Sequence, residues 1–235
     1  LNRKVGSCRT ESQKVVSMRR LGVAKGFTRE RVALTIAAAA IVLRIAVAAA
    51  AVTLLGVENL HTPDTLGYLE PAQEMLHAGT FSRAGDPEIV RTPGYPLLLL
   101  PGLLINRIEG FTVLLQALLA GATVVAVYGL ALELYNRRAA VAAAAFYALE
   151  PLSVLYAARL LSETLFTACL TWGLLLLARL AGRRDDPFQS LARTAAIAGS
   201  LLSTAALVRP VAYPVALAVG LSAAWFALRR SGPPK

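Results

Sequence analysis

The sequence predicts an all-α integral membrane protein with about six transmembrane helices and with both termini in the cytoplasm. Three observations support this fold class. Of the 235 residues, 56% are hydrophobic and only 16% are charged, which is too apolar for a soluble domain of this length. The apolar residues form runs of membrane-spanning length, and basic residues collect in the tails and short loops between these runs.

The formal net charge of +10 raises nucleic acid as a partner, but the distribution of the basic residues argues against it. Nine Lys and Arg residues fall within the first 31 positions, and most of the others separate apolar runs. This pattern is typical of a multi-pass protein whose partner is the lipid bilayer. Residues 1–31 are therefore predicted to form a disordered basic tail on the cytoplasmic surface, and residues 229–235 a second cytoplasmic tail.

The membrane domain is predicted to occupy residues 32–228. A hydrocarbon core of about 30 Å requires roughly 20 helical residues. Six apolar segments approach that length: 32–56, 111–134, 139–158, 162–180, 191–208 and 211–228. The run 93–105 is shorter and is interrupted by prolines, so it is predicted to be a juxtamembrane or re-entrant piece. The Arg pairs that follow the second, fourth and sixth segments then fall on the side of the N-terminal tail.

The opposite, outer side receives one long polar loop, residues 57–92, and the corners at 156–163 and 207–213. The loop contains six acidic residues, two basic residues and both histidines, and short juxtamembrane helices are predicted within it. Carboxylates, aromatics and arginines that gather outside the bilayer are candidates for function, since a membrane core does not need them. This loop is the predicted catalytic loop.

Asp64 and Tyr68 are the first candidate pair in that loop. They are four residues apart, so they would share one face of a helical turn, and Tyr68 could orient an unpaired Asp64 by a hydrogen bond. The alternative role of Asp64 is the N-cap of a loop helix that has Pro71 in its first turn and ends at Gly79. His61 and His77 are spaced too loosely around Asp64 to predict a divalent metal site.

Two outer corners repeat one pattern, an Arg followed by Tyr-Pro at the fourth and fifth positions. Arg91 precedes Tyr95 in one corner, and Arg209 precedes Tyr213 in the other. Each corner would place a guanidinium and a phenol at the level of the lipid headgroups, which suits phosphate binding. A snorkelling Arg beside an interfacial Tyr explains the same pattern without a ligand.

A third corner carries Arg159 and Glu163, which are also four residues apart. One interpretation is that the two side chains pair with each other. A second explanation for Glu163 is that its negative charge stabilises the N-terminus of the helix that it begins. The choice between a structural and a catalytic role for Glu163 stays open at this point.

Arg44 lies near the middle of the first predicted span, where an Arg costs about 2.5 to 3.5 kcal/mol on insertion scales and needs a partner. Glu150 is the predicted partner. Both residues lie 11 or 12 positions into spans that run in the same direction, which is about 17 Å of helix in each case. The two are expected to pair, or to share a buried polar network, in a structural role.

Taken in chain order, these motifs resemble the amino-terminal half of the C-type (GT-C) polytopic glycosyltransferases. The similarity is to the branch that contains the protein O-mannosyltransferases and the bacterial lipid A aminoarabinose transferases, and it covers residues 57–215. The motifs in order are Asp-x3-Tyr, Gly-x-Phe-Ser, Arg-x-Pro-Gly-Tyr-Pro-Leu, Arg-x2-Ser-Glu-Thr-Leu-Phe and Val-Arg-Pro. Thr65 stands where the mannosyltransferase branch usually has a second acid.

The resemblance implies an inverting transfer of a hexosyl or pentosyl group from a polyprenyl-phosphate donor to a glycan, lipid or protein acceptor. The transfer would take place on the outer face of a bacterial-type plasma membrane, with no cofactor beyond the donor substrate. The resemblance assigns the general base to Asp64 and a second outer-face acid to Glu163. The other predicted site residues share the outer face and would bind substrate: Tyr68, Arg91, Tyr95, Arg159, Arg209 and Tyr213.

Two other functions fit a polytopic chain of this size, a small transporter or permease and a non-catalytic membrane subunit. Transporters of this size usually have inverted repeats and ionisable residues at the midplane. Here most polar motifs collect at one face, which favours the glycosyltransferase. Relatives in the GT-C group continue for several more spans, so the chain is expected to be a truncated product or a fragment.

Overall fold

The computed structural model describes residues 31–182, 186–215, 217, 218, 220 and 221. In chain order the helices are α1 (Arg31–Leu55), α2 (Leu66–His77), α3 (Gly94–Leu104), α4 (Ile108–Leu134), α5 (Arg137–Leu149), α6 (Pro151–Ala157), α7 (Glu163–Gly182) and α8 (Phe188–Val208). Short 3-10 turns cover Val57–Leu60 and Pro210–Ala212, and β1 (Ser82–Arg83) pairs with β2 (Asp86–Pro87) in a small hairpin. The predicted tail 1–31, apart from Arg31, and the predicted tail 229–235 lie outside the described residues, as does half of the sixth predicted span.

Four of the described helices, α1, α4, α7 and α8, are long and apolar enough to cross a membrane. Helices α5 and α6 would form a fifth span as a bent pair. The prediction of an all-α membrane fold is therefore confirmed at this level, with the small hairpin of two-residue strands as the exception. The total of six spans and the location of both termini stay predictions.

The predicted span 139–158 is not one continuous helix, because the helix breaks at Glu150-Pro151 and bends by 54°. The residue before a proline is biased away from helical geometry, and Glu150 is extended, with ψ 119°. Its carboxylate accepts hydrogen bonds from the backbone N–H groups of Leu152 and Ser153, so Glu150 caps α6. Pro151 occupies the first turn of α6, where no N–H is needed.

Arg44 fills the polar gap that this break opens. It is fully buried and donates hydrogen bonds to the carbonyls of Ala148 at 3.0 Å and Tyr147 at 3.3 Å, in the last turn of α5. Carbonyls at a helix end have no partner within the helix, so the guanidinium satisfies them. Arg44 also donates to Ser153 Oγ at 2.8 Å, and the Ser153 N–H donates to Glu150. Among the described residues, Arg44 and Glu150 are thus linked through Ser153 in a shared polar network, and not by a direct ion pair.

The apolar run predicted not to span forms α3, an 11-residue helix. It ends in a Schellman motif, in which Asn106 has a positive φ of 51° and donates from its N–H to Leu103. The N–H of Arg107 donates to the carbonyl of Gly102 at 3.0 Å. This motif fixes the position of Arg107 immediately before α4.

The polar loop and both outer corners meet at one end of the long helices. The Leu160 N–H donates to the Leu60 carbonyl at 2.9 Å, and Thr92 Oγ1 donates to the Val208 carbonyl at 2.9 Å. Gly94 lies so close to the α8 end that a Cβ there would be 2.6 Å from the Leu207 carbonyl oxygen, so a glycine is required. The grouping of these segments on one face agrees with the prediction, and the side of the membrane stays a prediction.

Candidate active site

The start of α2 places Asp64 in an open position. Thr65, not Asp64, holds the turn before the helix: its buried hydroxyl accepts from the Thr62 N–H at 2.8 Å and lies 3.2 Å from the Leu160 carbonyl, to which it donates. The proposal that Asp64 is the N-cap is therefore wrong. Pro71 lies inside α2 rather than in its first turn, and the helix ends at His77, with Gly79 just beyond at φ 70°.

Arg91 brings Asp64 and Tyr68 together. Its Nη2 forms an ion pair with Asp64 Oδ1, and its Nη1 donates to the Tyr68 hydroxyl at 2.9 Å. The guanidinium carbon lies 4.7 Å from the centre of the Tyr68 ring, within the range of a cation–π contact. Asp64 and Tyr68 thus contact the same guanidinium, although Asp64 lies before α2 and not on a helical turn with Tyr68. Asp64 is paired rather than free, and Tyr68 contacts Arg91 instead of orienting Asp64 directly.

The guanidinium of Arg91 stays positively charged in this position. Partial burial lowers the pKa of its guanidinium, but the hydrogen bond and the charge of Asp64, with the Tyr68 contact, outweigh this effect and raise it overall. The Arg91 side chain is 27% exposed and that of Asp64 is 60% exposed. Both partners of the pair are therefore accessible to a ligand, and an anionic group would approach Arg91.

Tyr68 continues the polar contacts from the loop to the third corner. Its hydroxyl lies 3.1 Å from Ser162 Oγ, and its ring meets the Tyr95 ring edge-on at 5.0 Å. Tyr95 is fully buried in the protein and so presents no phenol at the surface, whereas Tyr213 is exposed. Burial raises the pKa of Tyr95 well above its usual value, and the neighbouring Tyr68 and Glu163 add to this effect, so Tyr95 stays a neutral donor.

Gln116 on α4 is a site residue that the sequence analysis missed. It is fully buried, and its Oε1 accepts from the Tyr95 hydroxyl at 2.9 Å. Its Nε2 donates to the carbonyls of Ala157 at 3.2 Å and Arg159 at 2.6 Å. Gln116 therefore holds the corner from which Ser162 and Glu163 follow. A single amide inside an apolar span was the signal that could have identified it.

Glu163 begins α7 and pairs with Arg209, which follows α8, at 2.7 Å. The predicted pairing of Arg159 with Glu163 is wrong, because Arg159 lies in the non-helical corner before α7, where a spacing of four does not bring side chains together. Within the described part of the chain, the exposed guanidinium of Arg159 has no partner. The second carboxylate oxygen of Glu163 is buried without a hydrogen bond.

These contacts form one connected chain of polar groups at one end of the helices. Side-chain contacts run from Asp64 through Arg91 and Tyr68 to Ser162, and the peptide bond from Ser162 to Glu163 joins this set to the Glu163–Arg209 pair. Arginines bind phosphate oxygens through two parallel hydrogen bonds, and a carboxylate can accept a proton from an attacking hydroxyl. The arrangement therefore offers phosphate ligands and a candidate base within one site.

The histidines contribute little to this site. His61 Nε2 lies 3.3 Å from Glu109 Oε1, and His77 is in the last turn of α2. Across the described residues, no group of three His, Cys, Asp or Glu side chains has the arrangement of a metal site. His61 instead ties the loop to the beginning of α4.

A protein-family model, described as dolichyl-phosphate-mannose-protein mannosyltransferase, matches residues 91–231, which is more than half of the chain. The chain belongs to this family. Comparisons with curated proteins and with solved structures gave no match. Membership of this glycosyltransferase family, together with the apolar helices, confirms a multi-pass membrane protein and the general class of transferase. A lipid-linked sugar donor and an acceptor follow at the level of the family.

The matched region contains the Arg91, Glu163 and Arg209 corners and begins after Asp64 and Tyr68. The resemblance drawn from the motifs is thus confirmed for the family. The narrower assignments, to the aminoarabinose or mannose branch and to an amino-terminal half, stay predictions. So does the role of each site residue.

Proposed function

We propose that this chain is a membrane glycosyltransferase, or part of one, that transfers a sugar from a polyprenyl-phosphate donor to an acceptor at the Asp64–Arg209 site. The observation that carries the proposal is the connected chain of two acid–arginine pairs, Asp64 with Arg91 and Glu163 with Arg209. Both pairs remain partly exposed, at the end of the apolar helices where a lipid-linked phosphate would lie.

The donor phosphate binds to Arg91 and Arg209 in this proposal. Each guanidinium is held by a single carboxylate, and a phosphate group presents several oxygens that fit the guanidinium fork. Arg159 is exposed, and its guanidinium has no partner among the described residues. It lies between Arg91 and Glu163 in the sequence, and in this proposal it is the third phosphate ligand. Tyr213 is exposed and follows Arg209 by four positions in the sequence. In this proposal it contacts the substrate.

Asp64 is the general base. The acceptor oxygen attacks the anomeric carbon, and its proton passes to the Asp64 carboxylate as the new C–O bond forms. The bond between the anomeric carbon and the donor phosphate oxygen breaks, and the electron pair leaves with the polyprenyl phosphate. Attack opposite to the leaving group inverts the configuration. Arg91 and Arg209 stabilise the negative charge that grows on the leaving phosphate.

The ion pair between Asp64 and Arg91 links the two roles. While Asp64 is bound to Arg91, one of its carboxylate oxygens is occupied by the guanidinium and is not open to an acceptor hydroxyl. A phosphate that takes over Arg91 releases Asp64 for the acceptor. Catalysis then requires the donor to bind before the base becomes available.

We assign this end of the helices to the outer face of a bacterial-type plasma membrane. The opposite end carries Arg137 and Arg138 at the beginning of α5, and basic residues favour the cytoplasmic side. No described feature favours the transporter or subunit alternatives. The polar groups named here collect at one end of the helices, and the buried Arg44 is occupied by carbonyls at a helix break.

The test is transfer of radiolabelled sugar from a polyprenyl-phosphate donor in proteoliposomes that contain the purified chain. The proposal expects time-dependent transfer that added polyprenyl phosphate inhibits and that Arg91→Ala abolishes. Binding of unlabelled polyprenyl phosphate to the detergent-purified protein is measured in parallel. Absence of saturable binding, or transfer that Arg91→Ala leaves unchanged, would overturn the proposed site.

A further inference from the structure

A cavity of about 600 Å³ lies between the C-terminal half of α1 and the first turns of α4. None of its lining residues belongs to the candidate active site. From α1 it is lined by residues spaced along one helix face, including Ile45, Ala49 and Val52. From α4 it is lined by Gly110 and Leu114, among others.

The packing of the two helices explains why a groove exists here. At Gly121, a Cβ atom would lie 2.5 Å from the side chain of Ile41, so α1 and α4 are in close contact at that level. Closer to the loop, the helices leave the cavity between them. Its floor is the apolar cluster that contains Ala48, Leu60 and Val113. The 3-10 turn Val57–Leu60 covers its end.

The walls of the groove are apolar and face outward. Ile45, Val52 and Leu114 are each more than a third exposed. In a membrane the groove lies where hydrocarbon is the solvent, and an acyl chain fits such walls without leaving polar groups unpaired. These walls therefore favour an acyl chain as the occupant, and the groups at the mouth would select its headgroup.

The mouth carries a positive and a negative group two residues apart. Arg107 is exposed, and in the described part of the chain its guanidinium has no partner. The Schellman motif after α3 fixes its backbone, and no side chain caps the N-terminus of α4. Arg107 and this helix end both attract an anion. Glu109 is one-third exposed, and its carboxylate has the His61 ring, at 3.3 Å, as its hydrogen-bonding partner.

We propose that this groove binds an ethanolamine phospholipid of the surrounding bilayer. The lipid phosphate lies at Arg107 and the α4 N-terminus, its primary ammonium donates to the Glu109 carboxylate, and one acyl chain lies between α1 and α4. The charges of the mouth match those of this headgroup. A glycerol headgroup lacks the cation for Glu109, and a choline nitrogen has no N–H to donate. The site is independent of the proposed transferase function.

The test compares three phospholipids with identical acyl chains on the purified, delipidated chain, with bound lipid counted by native mass spectrometry. The headgroups are ethanolamine, glycerol and choline. A charge-assisted hydrogen bond to Glu109 predicts that the ethanolamine lipid binds about tenfold more tightly than the choline lipid. Glu109→Gln should remove this preference and leave binding of the glycerol lipid unchanged. Arg107→Ala should weaken all three, whereas Arg137→Ala, at the opposite end of the helices, should weaken none.

A variant that fills the groove separates this site from general lipid adhesion. A Cβ at Gly110 meets no atom within 4 Å, so Gly110→Leu adds a side chain at the groove wall without a clash at its Cβ. An unchanged thermal transition in detergent confirms the fold. Gly110→Leu should abolish the ethanolamine preference. Equal affinity for all three headgroups, or a preference that survives Gly110→Leu, would overturn the proposal. Displacement of the phospholipid by equimolar polyprenyl phosphate would also overturn it, because the groove would then belong to the donor.

Discussion

Replacing Asp64 by Asn separates its role as a base from its role as the partner of Arg91. Asparagine keeps the size and the hydrogen-bonding oxygen but removes the charge. In the structure this change ends the ion pair with Arg91 and leaves the Arg91–Tyr68 contact in place. Two opposite effects are therefore expected, a loss of turnover and a gain in donor affinity.

The size of each effect follows from the site. A positioned base contributes about a hundredfold or more, so turnover should fall by at least that factor. The Asp64 side chain is 60% exposed, so its pair with Arg91 has the strength of a surface ion pair, about 0.2 to 1 kcal/mol. A phosphate no longer has to displace Asp64, and donor affinity should rise by about 1.5- to 5-fold.

The assay measures initial rates of sugar transfer in proteoliposomes over a range of donor concentrations, with equilibrium binding of polyprenyl phosphate measured separately. Glu70→Gln is the matched control, because Glu70 forms an exposed ion pair with Arg83 in the same loop, at 2.7 Å, outside the polar chain of the site. This control should change neither quantity. Weaker donor binding in Asp64→Asn, or turnover within about threefold of the wild type, would refute the account of Asp64.

Three further predictions follow from particular contacts. Arg209→Lys should raise the apparent Michaelis constant for the donor several-fold, since Lys cannot form the bidentate contact with phosphate. The control Arg193→Lys, on the exposed face of α8, should leave this constant unchanged. If Arg209→Lys and the wild type show the same dependence on donor concentration, Arg209 does not belong to the site. Gly94→Ala should destabilise the protein by about 1 to 3 kcal/mol in thermal unfolding, because its Cβ would meet the Leu207 carbonyl, whereas Gly199→Ala, which has open space, should be neutral or stabilising. Gln116→Leu should cost roughly 2 kcal/mol or more by removing the partner of the Tyr95 hydroxyl and of the Ala157 carbonyl, whereas the Arg159 carbonyl keeps the Leu161 N–H. A melting temperature equal to that of the wild type would show that the corner is held by other contacts.

The long helices were accessible from the sequence because the length and apolarity of a segment are local properties. The predicted spans 32–56 and 162–180 differ by only a few residues at their ends from α1 and α7. The break in the third predicted span was also encoded locally, in Pro151 and the preceding Glu150. The apolarity of the segment did not reveal the break, because the helical pieces on both sides of it are apolar. The placement of Arg44 against carbonyls, rather than against a carboxylate, is a consequence of that break.

The composition of the site was predicted better than its contacts. Residue types and loop positions identified Asp64, Arg91, Glu163 and Arg209 as one outer-face group, and the structure places all four in the connected polar chain. Which acid pairs with which arginine depends on how distant segments pack, so spacing along the chain suggested Arg159 as the partner of Glu163 instead of Arg209. The same dependence on packing explains why Tyr95 is buried and Tyr213 is exposed, although the two share one motif.

The most direct test of the central claim is an experimental structure of the protein with polyprenyl phosphate bound. The account predicts the phosphate within hydrogen-bonding distance of Arg91 and Arg209, with the Asp64 carboxylate released from Arg91 and facing the open side of the site. A phosphate bound at the opposite end, beside Arg137 and Arg138, would contradict the account. So would a phosphate at this end that leaves the Asp64–Arg91 and Glu163–Arg209 pairs intact.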